Sequence, residues 1–164
     1  MKTKEFLKLL AKSVNKVTGV NYDWDIEDEG DIAGACTTIK TAGGMREMLI
    51  WSNGKVVFPI INLADENTVE QFSDENLLTL YEIINDVNIQ CSNIAVAIIR
   101  EDGGISLRGI QVFSCQNEIN AFNYSRNQLF NNCVALIRDF IEIVNMKDSR
   151  GRKPLVELMS IFEE

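Results

Sequence analysis

Six carboxylates crowd residues 23–31, in the stretch DWDIEDEGD: Asp23, Asp25, Glu27, Asp28, Glu29 and Asp31. Asp25, Glu27 and Glu29 fall at alternate positions ahead of Gly30, and this rhythm imitates a calcium-binding loop. Such a loop needs a bidentate carboxylate at its twelfth position, and counting from Asp25 that position is Cys36. Its flanks should also be helical, whereas both flanks here read as strands. The other chemistry open to paired carboxylates is general acid–base catalysis. A charged turn, however, offers little burial with which to tune a pKa. The expectation is a solvated hairpin in which EDEG forms the turn, with no metal site, no cofactor and no catalytic residue.

Histidine is absent from the chain, which excludes Ser-His and Cys-His nucleophile pairs, H-E-x-x-H metal sites and imidazole acid–base work. The four cysteines, Cys36, Cys91, Cys115 and Cys133, have no C-x-x-C spacing, so zinc knuckles and thioredoxin-type sites are not expected. Reduced cysteine behaves as a small hydrophobe, and burial is expected for all four. The segment GGISLRG (103–109) lacks both the Lys-Ser/Thr of a P-loop and the G-x-G-x-x-G spacing, and reads as a hairpin turn and strand. KDSRGRK (147–153) is a basic run that reads as a solvated loop, although it has the composition to grip a phosphate or an acidic partner. Trp24, Trp51 and Phe58 lie beside acids rather than in the basic groove of a single-strand-binding platform. Core packing or a protein interface is expected of them.

The elements that would position these residues follow from length and periodicity. A chain of 164 residues, 46% apolar and 24% charged, has the size and composition of one globular domain. A net charge of −8 argues against a general affinity for nucleic-acid backbone. No apolar run approaches the ~20 residues that span a bilayer. Lysines interrupt the apolar positions of the N-terminus, so it does not read as a secretory signal. The expected location is the cytosol.

Phe6, Leu7, Leu10, Val14 and Val17 form a helical stripe over residues 4–17, and Gly19 is placed to stop the helix. From residue 20 the period becomes two: Tyr22, Trp24 and Ile26 alternate with acids, as in a half-buried strand. In MREMLIWSNGKVVFPII, Asn53-Gly54 separates two apolar runs and signals a two-residue hairpin turn. That register pairs Trp51 with Val56, Leu49 with Phe58 and Ile50 with Val57. It also sets Met48 opposite Pro59, where the ladder should bulge or end for want of a donor. Both faces of this hairpin are apolar, so both should be covered. Ser73 caps a helix whose buried stripe is Leu77, Leu80, Tyr81, Ile84 and Val87. A second hairpin follows, NIAVAIIR and ISLRGIQVFS around EDGG. The longest helix runs from about 125 to 146, with an apolar set wider than one stripe, and Pro154 begins a short final helix over about 154–163.

LLTLYEIINDVNI (77–89), a hairpin, and SRNQLFNNCVALIRDFIEIV (125–144) together resemble the YbjN-like family and the related fold of type III secretion chaperones. Asn85 and Asn88 match the helix ending of that pattern, which covers residues 3–146 in topology and is specific over about 75–144. The acidic hairpin and the final helix depart from it. The resemblance implies a non-catalytic protein-binding domain, often dimeric.

The expected fold is a single α+β domain over 1–164, with its core in 3–146. Its order is α-β-β-β-β-α-β-β-α-α, with an antiparallel sheet of about five to six strands in two sets and helices packed on it. The expected function is non-enzymatic protein binding, chaperone-like or adaptor-like, with a possible homodimer among the partners and no direct nucleic acid or membrane. The candidate binding residues are Leu49, Trp51, Val56, Phe58 and Phe140. The alternative is an acidic inhibitor of phage or mobile-element type that mimics nucleic-acid charge; a carboxylate- or metal-dependent enzyme stands third.

Overall fold

The computed structural model describes residues 2–90, 95–112 and 123–145, and beyond them only residues 147, 149–151, 154 and 157. The fold is α+β. Helix α1 (Thr3–Thr18) leads into strands β1 (Asp25–Asp28), β2 (Ala33–Thr41), β3 (Gly44–Ser52) and β4 (Val56–Ala64). Helices α2 (Glu66–Glu70) and α3 (Asp74–Gln90) follow, then β5 (Ala95–Ile99), β6 (Ile105–Gly109), β7 (Gln111–Val112) and α4 (Asn123–Ile143). Every strand pairing is antiparallel. The strands form one seven-stranded sheet, ordered β1-β2-β3-β4-β6-β5 with β7 also on β4. The two hairpins expected as separate sets are therefore continuous, because β4 pairs with β6.

Local sequence accounts for most of these elements. Gly19 takes the left-handed conformation (φ 70°) and donates its N–H to Asn15 O at 3.0 Å, closing α1. Asn15 also ties the helix to the chain that leaves it. Its Nδ2 donates to the Tyr22 carbonyl at 2.9 Å, and its Oδ1 accepts from Trp24 Nε1 at 2.8 Å. Ser73 caps α3 through Asn76 N–H, at 3.3 Å. Helix α2, additional to the expected order of elements, has its own cap: Asp65 Oδ1 accepts from Thr68 N–H at 2.8 Å.

The Asn53-Gly54 hairpin exists, but its register differs from the expected one by two residues. Trp51 pairs with Phe58, Ile50 with Pro59, Leu49 with Ile60, Met48 with Ile61 and Ser52 with Val57. The Asn53 side chain accepts from both Lys55 and Val56 N–H at 3.1 Å, which opens the turn into a four-residue loop. Val56 then pairs outward with Val112 of β7. A shift of two residues preserves every side chain's face. The break expected at Pro59 also falls elsewhere. The β3 ladder runs straight past it, while on the other side of β4 the ladder stops between β6, ending at Gly109, and β7, starting at Gln111. Apart from a shift between Asn62 and Ala64, both pieces keep one register with β4, so the gap faces the residue that has no N–H to give.

One sheet face carries the core. Ala33, Ala35 and Ile39 (β2), Met48 and Ile50 (β3), Val57 and Ile61 (β4), and Ile105 and Leu107 (β6) are buried together with residues of α1, α3 and α4. From α1 these are Phe6, Leu7, Leu10 and Val14; Val17, expected in the stripe, is 51% exposed beyond the last turn that meets the sheet. From α3 they are Leu80, Ile83, Ile84 and Val87, an i, i+3, i+4, i+7 set that leaves Tyr81 outside it, 47% exposed. From α4 they are Cys133, Val134, Ile137 and Phe140, with Val144 just past its end. Phe6 meets Phe130 edge-on, with ring centroids 5.8 Å apart, and Asn145 Oδ1 accepts from Ala42 N–H at 2.6 Å, holding the end of α4 on the β2–β3 turn. The expected final helix lies outside the described residues, apart from Pro154 and Glu157, whose backbones are joined by a 3.0 Å hydrogen bond. Among the described residues, no helix is long and apolar enough to cross a membrane.

Candidate functional site

Strand alternation sends the other half of the sheet residues to the opposite face. Cross-strand pairing there lines up Asp25, Cys36, Leu49, Ile60 and Arg108 in one row across β1, β2, β3, β4 and β6. The neighbouring row holds Glu27, Gly34, Trp51 and Phe58. The Trp51 and Phe58 rings are 5.4 Å apart at a tilt of 51°, a favourable aromatic pair on the non-core side of a hairpin. Gly34 leaves a notch beside them, and a Cβ there would meet only Leu49 Cδ1, at 3.5 Å.

Leu49, Trp51, Val56, Phe58 and Ile60 are all half-buried. None of them joins the core that the helices cover. Four of the five expected binding residues, Leu49, Trp51, Val56 and Phe58, are thus brought together on one face. The fifth is not. Phe140 is 0% exposed in the middle of the helix–sheet core, because the wide apolar surface of α4 is used against α1 and the sheet. This corrects its assignment as a surface anchor. Ile60 belongs with the four, and the period-two run Val56, Phe58, Ile60 already contained that information.

The patch has a charged frame. Asp25 and Glu27 stand exposed at the β1 edge and Arg108 stands exposed on β6; none of the three forms an ion pair among the described residues. Glu47 lies two residues along β3 from Leu49 on the same face, opposite Thr38. Cys36, for which burial is expected, is half-buried on this face, whereas Cys133 is buried in the core. Partial burial first, and then the carboxylates of Glu47, Asp25 and Glu27, push the Cys36 thiol up to about 11. It is therefore a protonated thiol at neutral pH, the opposite of an activated nucleophile. Cys91 and Cys115 lie outside the described residues.

The acidic stretch is a β-hairpin, but its turn lies at 29–32 rather than at the expected EDEG, because Glu27 and Asp28 pair with Gly34 and Ala33 as part of β1. Glu29 N–H donates to Ile32 O at 2.9 Å, Gly30 N–H to Asp28 Oδ1 at 3.1 Å, and Gly30 adopts φ 88°. Its six carboxylates are all exposed. Among the described residues, no three His, Cys, Asp or Glu side chains gather as a metal ion would require. Of the basic run at 147–153, Arg150 reaches Glu82 at 3.6 Å, and Ser149 donates to Asp86 through its N–H and its hydroxyl at 2.6 and 2.7 Å. These contacts seat that part of the segment on α3. No protein-family model matches the chain, and no curated protein matches it.

Proposed function

We propose that this chain is a non-enzymatic protein-binding domain of adaptor-like or chaperone-like kind, and that the face carrying Leu49, Trp51, Val56, Phe58 and Ile60 is its docking surface. One observation carries the reading: a tight cluster of large apolar side chains sits on the sheet face opposite the one its own helices cover. A soluble protein that keeps such a cluster on its surface generally uses it for a partner. Aromatic pairs at the centre of a patch are the usual anchors of protein interfaces, and a ring of charge outside them is the usual rim. The resemblance to YbjN-like and secretion-chaperone folds points the same way.

The test is site-specific photo-crosslinking in cells with a benzophenone amino acid in place of Phe58. The control position is Leu78, on the exposed side of α3 and 62% accessible. Discrete protein adducts at 58 and not at 78 support the reading. Adducts at neither position, or equally at both, overturn it.

A second reading is favoured by the six exposed carboxylates within nine residues of the β1–β2 hairpin. It is an acidic protein that occupies a nucleic-acid-binding groove by imitating phosphate charge. The two separate on salt, because partner binding through charge weakens steeply between low and high ionic strength whereas apolar docking does not.

A further inference from the structure

We propose that the occupant of the outer sheet face is a second copy of this chain, related by a twofold axis running along β3. The inference rests on the docking reading above and names its partner.

The argument begins with the row Asp25, Cys36, Leu49, Ile60, Arg108. It carries a negative charge at one end, a positive charge at the other, and apolar groups between them, with Leu49 at its midpoint. Two such sheets packed face to face about an axis along β3 exchange β1 with β6 and β2 with β4. Each Asp25 then meets the Arg108 of the second copy, Cys36 meets Ile60, and Leu49 meets its own equivalent. Glu27 lies on the same face of β1 as Asp25, two residues along, and reinforces the negative end. In the adjacent row Phe58 of one copy enters the notch that Gly34 leaves in the other, and the two Trp51 rings meet on the axis. The charges that have no ion-pair partner among the described residues thus find each other between two copies, in two equivalent pairs.

An isologous interface requires this kind of self-complementarity, and closed twofold dimers are the commonest way to cover one patch on both molecules. The area suffices. Strands β2, β3 and β4 are nine residues long. With the four residues of β1 and the five of β6, these strands at ~4.8 Å spacing and a ~3.3 Å rise per residue give a face of ~570 Å² before side-chain relief, close to the ~600 Å² per partner at which specific interfaces begin. Two packed sheets also hold their strands within ~30° of one another, which keeps the rows in register near the axis. Glu47 is the one acidic group placed against itself, since like Leu49 and Trp51 it lies on β3.

The experiment uses the full chain in sedimentation equilibrium over a wide concentration range, with Asp25→Arg and Arg108→Asp prepared singly. Both residues are exposed, and circular dichroism verifies that each variant folds. Wild type is expected to dimerise. Each single variant places two like-charged pairs in its homodimer and is expected to dimerise at least ~10-fold more weakly. An equimolar mixture of the two is expected to recover wild-type association as a heterodimer, because both contacts are then opposite in sign. Glu47→Gln is expected to tighten the wild-type dimer. A monomeric wild type, unweakened single variants, or a mixture that fails to recover each overturns the proposal. A monomeric wild type whose position 58 still crosslinks to a different protein removes the second copy and leaves the docking reading standing; no adduct at 58 removes both.

Discussion

Replacing Phe140 with alanine tests whether the aromatic on α4 belongs to the core or to the surface. The ring is 0% exposed and packs within the helix–sheet cluster. Truncation removes ~100 Å² of buried apolar surface, which at ~25 cal/mol per Å² is ~2.5 kcal/mol, and the unfilled cavity adds to this. A total of about 3–5 kcal/mol is expected, a large share of the ~5–15 kcal/mol that holds an ordinary domain together. Phe58→Ala is the matched comparison. Its ring lies on the outer face against Trp51 and is only half-buried, so the monomer should lose about 1 kcal/mol. The assay is urea unfolding followed by far-UV circular dichroism. It should run at the lowest workable chain concentration, because association adds to apparent stability. An unchanged m-value would show that the midpoint shift reports stability alone. The reasoning is refuted if Phe140→Ala costs less than about 1.5 kcal/mol, or if Phe58→Ala costs as much as Phe140→Ala.

Asn15→Ala removes the acceptor for Trp24 Nε1 and the donor to the Tyr22 carbonyl; a loss of about 1–3 kcal/mol is expected in the same assay, and a neutral result would falsify its role in anchoring α1 to β1. Cys36, with its thiol pushed up to about 11, should be less than ~1% thiolate at pH 8.5. Mass-spectrometric mapping should therefore find it alkylated slowly there, at a rate still climbing beyond pH 10, and faster in Glu47→Gln; a rate that levels off near pH 9 counts against the carboxylate environment. The acidic hairpin, whose twelfth position from Asp25 is Cys36, should give no stoichiometric calcium isotherm in calorimetry, and a micromolar one lost in Asp25→Ala would overturn that reading.

The sequence by itself determined the kinds and order of the main elements, because these depend on local spacing. The stripe Phe6, Leu7, Leu10, Val14 and the stop at Gly19 define α1 wherever it packs, and Ser73 starts α3 through a bond to its own third neighbour. The alternation through Leu49, Trp51, Phe58 and Ile60 likewise put these residues on one side of a hairpin, and a register error of two residues could not change that. Three things were left to the tertiary structure. The register of β3 on β4 depends on Asn53 binding two N–H groups and on β7 claiming Val56. The union of the two hairpins depends on β4 meeting β6 across the intervening α2 and α3, a long-range pairing that no window of sequence contains. The fate of each apolar surface depends on where the helices settle: they cover the face of Ile50 and Ile61 and consume Phe140, while the Trp51–Phe58 face remains outside the core. Periodicity states that a side chain needs burial, but only the packing of the whole chain decides which surfaces it can bury for itself and which are left for a partner.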